Sequence, residues 1–185
     1  IEHKSDNNQI GYQDQVASIF GSISIANYSK NDVKVIPASK EWDLGITKLI
    51  ESKGALFKTN PRTGISSNYI NSETLNKKIK MYKEVLKIAD SIDFTENNFN
   101  EGKLINLLLE TSYLAKKMKT RSKEVINIEN QLEKLGAIYC KQLGAGGGGF
   151  IFCLFENSDP AIPDNLKEIM IRPKICKKGT RVLTI

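Results

Sequence analysis

Leu143-Gly144-Ala145-Gly146-Gly147-Gly148-Gly149-Phe150 sets five glycines in six positions between two apolar segments, Ala137 to Leu143 and Phe150 to Phe155. Glycine loses more backbone entropy on folding than any other residue, so a run of them weakens whatever structure it joins. Three uses offset that cost: a ligand-facing loop, a close-packed turn, or a flexible connector. Connectors lean on serine and polar neighbours, whereas this run is held between residues that read as two buried strands. Bare N–H groups in a glycine loop can line an anion site, most often for phosphate. The run matches neither the phosphate loop ending in Gly-Lys-Ser/Thr nor the spaced dinucleotide fingerprint.

Working outward, the order of elements suggests an α+β chain. Gln9 to Phe20 reads as a helix ended by Gly21, and Ser22 to Ala26 alternates as a half-buried strand. Val33 to Ile36 is a second short strand closed by Pro37, and Ala55-Leu56-Phe57 a third before the polar turn Thr59 to Gly64. Leu75, Ile79, Tyr82, Leu86 and Ala89 recur at steps of four and three, which predicts a helix with one buried stripe. Leu104, Leu107, Leu108, Leu114 and Met118 predict a second. Val125, Ile128, Leu132 and Leu135 predict a third, with Gly136 where a left-handed cap belongs. Beyond the glycine run come a Pro-punctuated loop (Asp159 to Pro163), a short helix around Leu166 to Met170 and a strand from Thr180 to Ile185. Such an order predicts helices packed on one face of a largely antiparallel sheet.

Composition narrows the function classes. The 185 residues fit one domain, or one domain and part of another. No apolar stretch approaches the roughly 20 residues of a membrane span, and no membrane partner is expected. Net charge is +6, from 27 basic and 21 acidic residues, but the lysines are spread along amphipathic segments. Nucleic-acid binding would want them gathered on one face with aromatics, so no nucleic-acid partner is expected; a phosphorylated small molecule uses the same charge equally well. Cys140, Cys153 and Cys176 have no metal-ligand spacing, and the first two read as small hydrophobes in strands. No metal ligands are assigned, and a reducing, cytoplasmic setting fits best. The lone His3 leaves no multi-histidine metal site.

A second unusual cluster is Gly11-Tyr12-Gln13-Asp14-Gln15. Asp14 stands at a predicted helix start, where the positive end of the helix dipole keeps a carboxylate ionised. Plain helix capping explains the same residue. Taken together, Gly-x-x-Asp-Gln and Leu-Gly-Ala-Gly-Gly-Gly-Gly-Phe resemble the GHMP small-molecule kinases, and within them the kinases of D-glycero-D-manno-heptose phosphate. Thr63-Gly64-Ile65-Ser66 and Gly179-Thr180-Arg181-Val182 match in order between and after them. Two departures lie near the implied sugar site: Tyr12 stands where the heptose kinases have lysine, and Ser67-Asn68-Tyr69 where they have Arg-Ser-Ala.

The resemblance implies a GHMP-kinase C-terminal domain over residues 37–185, with residues 1–36 the end of the nucleotide-binding domain. It implies an ATP- and Mg²⁺-dependent kinase acting on a sugar phosphate, with a homodimer left open. The Pro-x-x-x-Gly-x-Gly-Ser-Ser phosphate loop of the family does not occur in these residues. Asp14 would stand by the attacking hydroxyl as base or orienting acceptor. Gly144, Ala145, Gly146, Gly147, Gly148 and Gly149 would close over the phosphoryl group or shape the sugar pocket. Gln13, Thr63, Gly64 and Ser66 are secondary candidates for sugar contacts, and equally turn or capping residues. A non-catalytic binding domain that keeps the kinase fold is the alternative.

Overall fold

A computed structural model describes residues 22–28, 32–59, 72–117, 123–143 and 149–177. The expected helix over Gln9 to Phe20 and the expected strand over Thr180 to Ile185 lie outside them. The chain forms two compact units. Among the described residues, the smaller holds 22–28, 32–46, 94–99 and 175–177, and the larger holds the rest.

In the smaller unit, β1 (Ser24–Tyr28) and β2 (Val33–Pro37) form an antiparallel hairpin in the register Ala26 to Val35. Pro37 ends the pairing, and Ser39 then opens α1 (Lys40–Lys53), which belongs to this unit up to Ile46, as its cap, accepting from the Trp42 N–H at 3.3 Å. The sequence reading missed α1. Its apolar positions Trp42, Ile46 and Leu49 have helical spacing and are buried, but Gly45 interrupts them with a residue that disfavours helix. The reason for that glycine is steric. A Cβ at Gly45 would overlap the Phe99 ring, which meets Trp42 edge-on at 5.1 Å. Phe94 packs on the same indole at 4.8 Å. Ser22, at φ +51°, donates from its hydroxyl to Asp43 at 2.5 Å.

In the larger unit, β3 (Gly54–Lys58) is followed by α2 (Ser72–Ala89), α3 (Glu101–Lys117) and α4 (Lys123–Lys134). Then come β4 (Ala137–Gln142), β5 (Phe150–Phe155), α5 (Asp164–Lys167) and β6 (Met170–Ile171). The sheet order is β4-β5-β3-β6, and every neighbouring pair is antiparallel. The expected helix over Leu166 to Met170 is shorter than predicted. It starts after Pro163 and ends by Lys167, because Met170 pairs with Phe57 as an edge strand that stops before Pro173.

The core lies on one face of this sheet. Ala55 and Phe57 of β3, Ile151, Cys153 and Phe155 of β5, and Cys140 of β4 meet Val125, Ile128 and Leu132 of α4. Alternation alone would put Ala137 and Cys140 on opposite faces, but a bulge between Ala137 and Tyr139 brings both into the core cluster. The opposite face is also covered in places, since Tyr139 and Leu154 are buried. Two positions of the stripe on α2 depart from expectation: Ile79 and Leu86 are exposed, and among its described side chains Ile88 and Ala89 at its end are half-buried. Helical periodicity identified the helix correctly but carries no information on what covers each turn.

Candidate functional site

Leu143 donates its N–H to the Phe150 carbonyl at 2.8 Å, so the glycine run is the connection of the β4–β5 hairpin. Closely and widely spaced pairs alternate along an antiparallel ladder. Counting back from the hydrogen-bonded pair Leu143/Phe150 makes Cys140/Cys153 a non-hydrogen-bonded pair. The Cys140 carbonyl therefore turns away from β5, toward the open edge of β4. Ser112 of α3 meets it there: its buried hydroxyl donates to that carbonyl at 3.2 Å. A helix side chain thus satisfies an edge-strand acceptor that would otherwise be buried unpaired.

The end of the connection is fixed from β3. Gly149 has φ +107°, a conformation side chains rarely adopt, and its carbonyl receives two donors from Thr59. These are the Thr59 N–H at 2.8 Å and the Thr59 hydroxyl at 3.2 Å. Thr59 is 5% exposed, so both bonds form away from water. Lys58 pairs with Phe150 in register, and the Thr59–Gly149 contact continues that ladder one residue further. Two segments far apart in sequence, the one leaving β3 and the glycine connection, are joined at one end of the sheet.

Residues on the sheet face away from the core add a chemical character here. Strand alternation places Lys58, Phe150, Phe152 and Lys141 on that face, with Lys58 opposite Phe150 and Lys141 opposite Phe152. Both lysines are exposed, and Leu143 and Phe150 remain 40% and 37% exposed at the mouth of the hairpin. Cationic and apolar surface beside a glycine-rich backbone suits an anionic organic ligand better than a bare ion. Composition had spread the charge too evenly to single out either lysine; only the register of the sheet selects them.

Of the site residues predicted from sequence, Gly149 is the one the structure describes. Asp14, Gln13, Thr63, Gly64, Ser66, Gly144, Ala145, Gly146, Gly147 and Gly148 lie outside the described residues. Thr59, read from sequence only as the start of a polar turn, is the anchoring residue that reasoning missed. Among the described residues no group of three or more His, Cys, Asp or Glu side chains could hold a metal ion. Mg²⁺ is accordingly assigned to none of them. No helix among them is long and apolar enough to cross a membrane.

This arrangement of helices on an antiparallel sheet is an α+β fold that the chain shares with small-molecule kinases. Residues 98–171, which include the whole glycine run, match the family of GHMP kinase C-terminal domains. A Campylobacter jejuni protein classed as a sugar kinase has a similar structure, with 25% identity and a TM-score of 0.52 over 96% of this chain and 52% of that one. A mevalonate kinase is similar in fold, with 20% identity and a TM-score of 0.50 over 74% of this chain and 40% of that one. The chain thus spans about half the length, or less, of the solved structures it matches. No curated protein matches it.

Proposed function

We propose that this chain is the C-terminal part of an ATP-dependent sugar kinase that transfers the γ-phosphate to a hydroxyl of a phosphorylated sugar, a heptose phosphate. The observation that carries the reading is the likeness over 96% of the chain to a protein classed as a sugar kinase, with the glycine run inside the matched family segment. In this reading residues 1–36 end the nucleotide-binding domain and residues 37–185 form the second domain. Phosphoryl transfer needs positioning and charge neutralisation more than covalent chemistry, and bound Mg²⁺ supplies part of that neutralisation. Asp14 accepts the proton of the attacking hydroxyl late in the transfer, because a sugar hydroxyl is too weak an acid to lose it early. Gly144 to Gly149 bring bare backbone up to the phosphoryl group, and Thr59 holds the last of them in place. Gln13, Thr63, Gly64 and Ser66 contact the sugar. The protein is cytoplasmic.

This chain alone, without the Gly-x-Gly-Ser-Ser loop, does not turn over. The test is ADP release by the full-length gene product with ATP, Mg²⁺ and a panel of acceptors: heptose, hexose and pentose phosphates, and mevalonate. The expected result is acceptor-dependent ADP release, fastest with a heptose phosphate. Release with mevalonate alone would overturn the sugar assignment. Tight sugar-phosphate binding without turnover would favour a non-catalytic binding domain, a reading that Tyr12 and Ser67-Asn68-Tyr69 near the sugar site would then explain.

A further inference from the structure

We propose that Cys140 and Cys153 form a redox-modification site: a dithiol across β4 and β5 that a small hydroperoxide converts to an intrachain disulfide. The inference is independent of the kinase reading. The two residues are directly opposite in register, and their sulfurs are 2.9 Å apart, with Cys153 donating its S–H to Cys140. The hydrogen-bond alternation makes them a non-hydrogen-bonded pair, the closer of the two kinds, with Cα atoms about 4.5 Å apart. That spacing lies inside the range a disulfide spans, about 4.4–6.8 Å, so closure needs no backbone rearrangement. Both thiols are free. Two cysteines chosen only as small core hydrophobes have no need to face each other, since alanine or valine would fill the same layer.

Chemistry follows from the direction of the S–H bond. Burial, reinforced by the neighbouring Cys140, pushes the Cys153 thiol up, so it stays protonated as the donor of the pair. The Cys140 sulfur attacks the distal oxygen of the hydroperoxide and gives up its proton as it does so. An S–O bond forms, the O–O bond breaks, and the alkoxide leaves and takes a proton. Cys153 then attacks the Cys140 sulfur; the S–S bond forms, the S–O bond breaks, and the Cys153 proton leaves with the hydroxide as water. Two thiols lose two electrons and two hydrogens, and the peroxide is reduced to an alcohol and water.

The site differs from Cys176, which is exposed. The experiment uses the Cys176→Ser chain, so that no intermolecular bridge can form. Native protein is treated with hydrogen peroxide, quenched, and read by intact mass and by thiol titration after denaturation. The expected result is loss of two hydrogens, a fall from two thiols to none, and a single cross-linked peptide containing Cys140 and Cys153. Reversal by dithiothreitol restores both thiols. Retention of both thiols while the fold persists would overturn the proposal, as would gain of oxygens without cross-linking. A disulfide that forms only in urea would overturn it too, because proximity along the chain would then explain it. Peptide mapping on Cys176→Ser makes the test independent of whether Cys140→Ala or Cys153→Ala folds.

Discussion

Each end of the β4–β5 hairpin carries a positive-φ glycine, and in every other respect the two ends are opposites. At the closed end, Gly136 at φ +90° ends α4 as a cap and accepts from the Glu156 N–H, and the chain runs straight into the buried Ala137 and Phe155. At the open end, Gly149 at φ +107° is followed by the half-exposed Phe150, and four more glycines precede it. One glycine is enough to reverse the chain into a core. The surplus at the open end is more than turning into a core requires, and in the proposed reading it keeps Cβ atoms away from a ligand that approaches the backbone there. In the proposed reading the same local device serves packing at one end and presentation at the other.

The sharpest way to break this comparison is to damage the closed end. Phe155 is fully buried and packs edge-on to Phe57 at a centroid distance of 6.3 Å. Phe155→Ala is expected to lower stability by about 3–5 kcal/mol, measured by urea unfolding. A loss below about 1 kcal/mol would mean this end is not the packing end. The matching change at the open end is Gly147→Val in the full-length gene product. If the run serves presentation, ADP release is expected to be destroyed while the melting temperature moves little. Parallel loss of activity and melting temperature would place the run among purely structural turns.

That asymmetry also explains what the sequence could and could not reveal. The closed end was legible because its signals are local: Val125, Ile128 and Leu132 at helical spacing, Gly136 as cap, then alternating strands. Periodicity reports burial reliably only where a partner layer exists, so it succeeded for α4 and misled for Ile79 and Leu86 of α2. Helix α1 was hidden by Gly45, whose reason is Phe99, more than fifty residues away in sequence. Edge strand β6 is two residues long and exists through its pairing with Phe57, which no window around Met170 contains. The open end was legible as an oddity through its glycines and through the family resemblance. Its anchor was not, because Thr59 and Gly149 are 90 residues apart and meet only through the sheet.

A gentler test compares the two positive-φ glycines themselves. Among the described residues a Cβ at either Gly136 or Gly149 would meet nothing within 4 Å, so the cost of adding one there is conformational. Gly136→Ala is expected to cost about 1–2 kcal/mol, the penalty of a side chain in the left-handed region, seen as a lower urea midpoint at unchanged slope. Activity of the full-length enzyme should survive, because the strain falls on the packing end. A drop in turnover larger than the drop in folded fraction would show that the two ends are coupled.

The smallest expected effect on stability is also the most specific probe of the open end. Thr59→Val keeps the size of the side chain and the backbone N–H bond to Gly149 at 2.8 Å, and removes only the hydroxyl donor at 3.2 Å. A neutral hydrogen bond contributes about 0.5–1.5 kcal/mol, and valine regains part of that as apolar burial, so stability should change by less than about 1 kcal/mol. The Gly149 carbonyl keeps one donor, so no acceptor is left buried unpaired. What changes is the second constraint on the last residue of the glycine run. If Thr59 positions that run for phosphoryl transfer, kcat of the full-length enzyme should fall several-fold with KM for ATP nearly unchanged, and Thr59→Ser should restore it. A fall in stability with kcat intact would reduce Thr59 to a strand-end staple and leave the open end defined by its glycines alone.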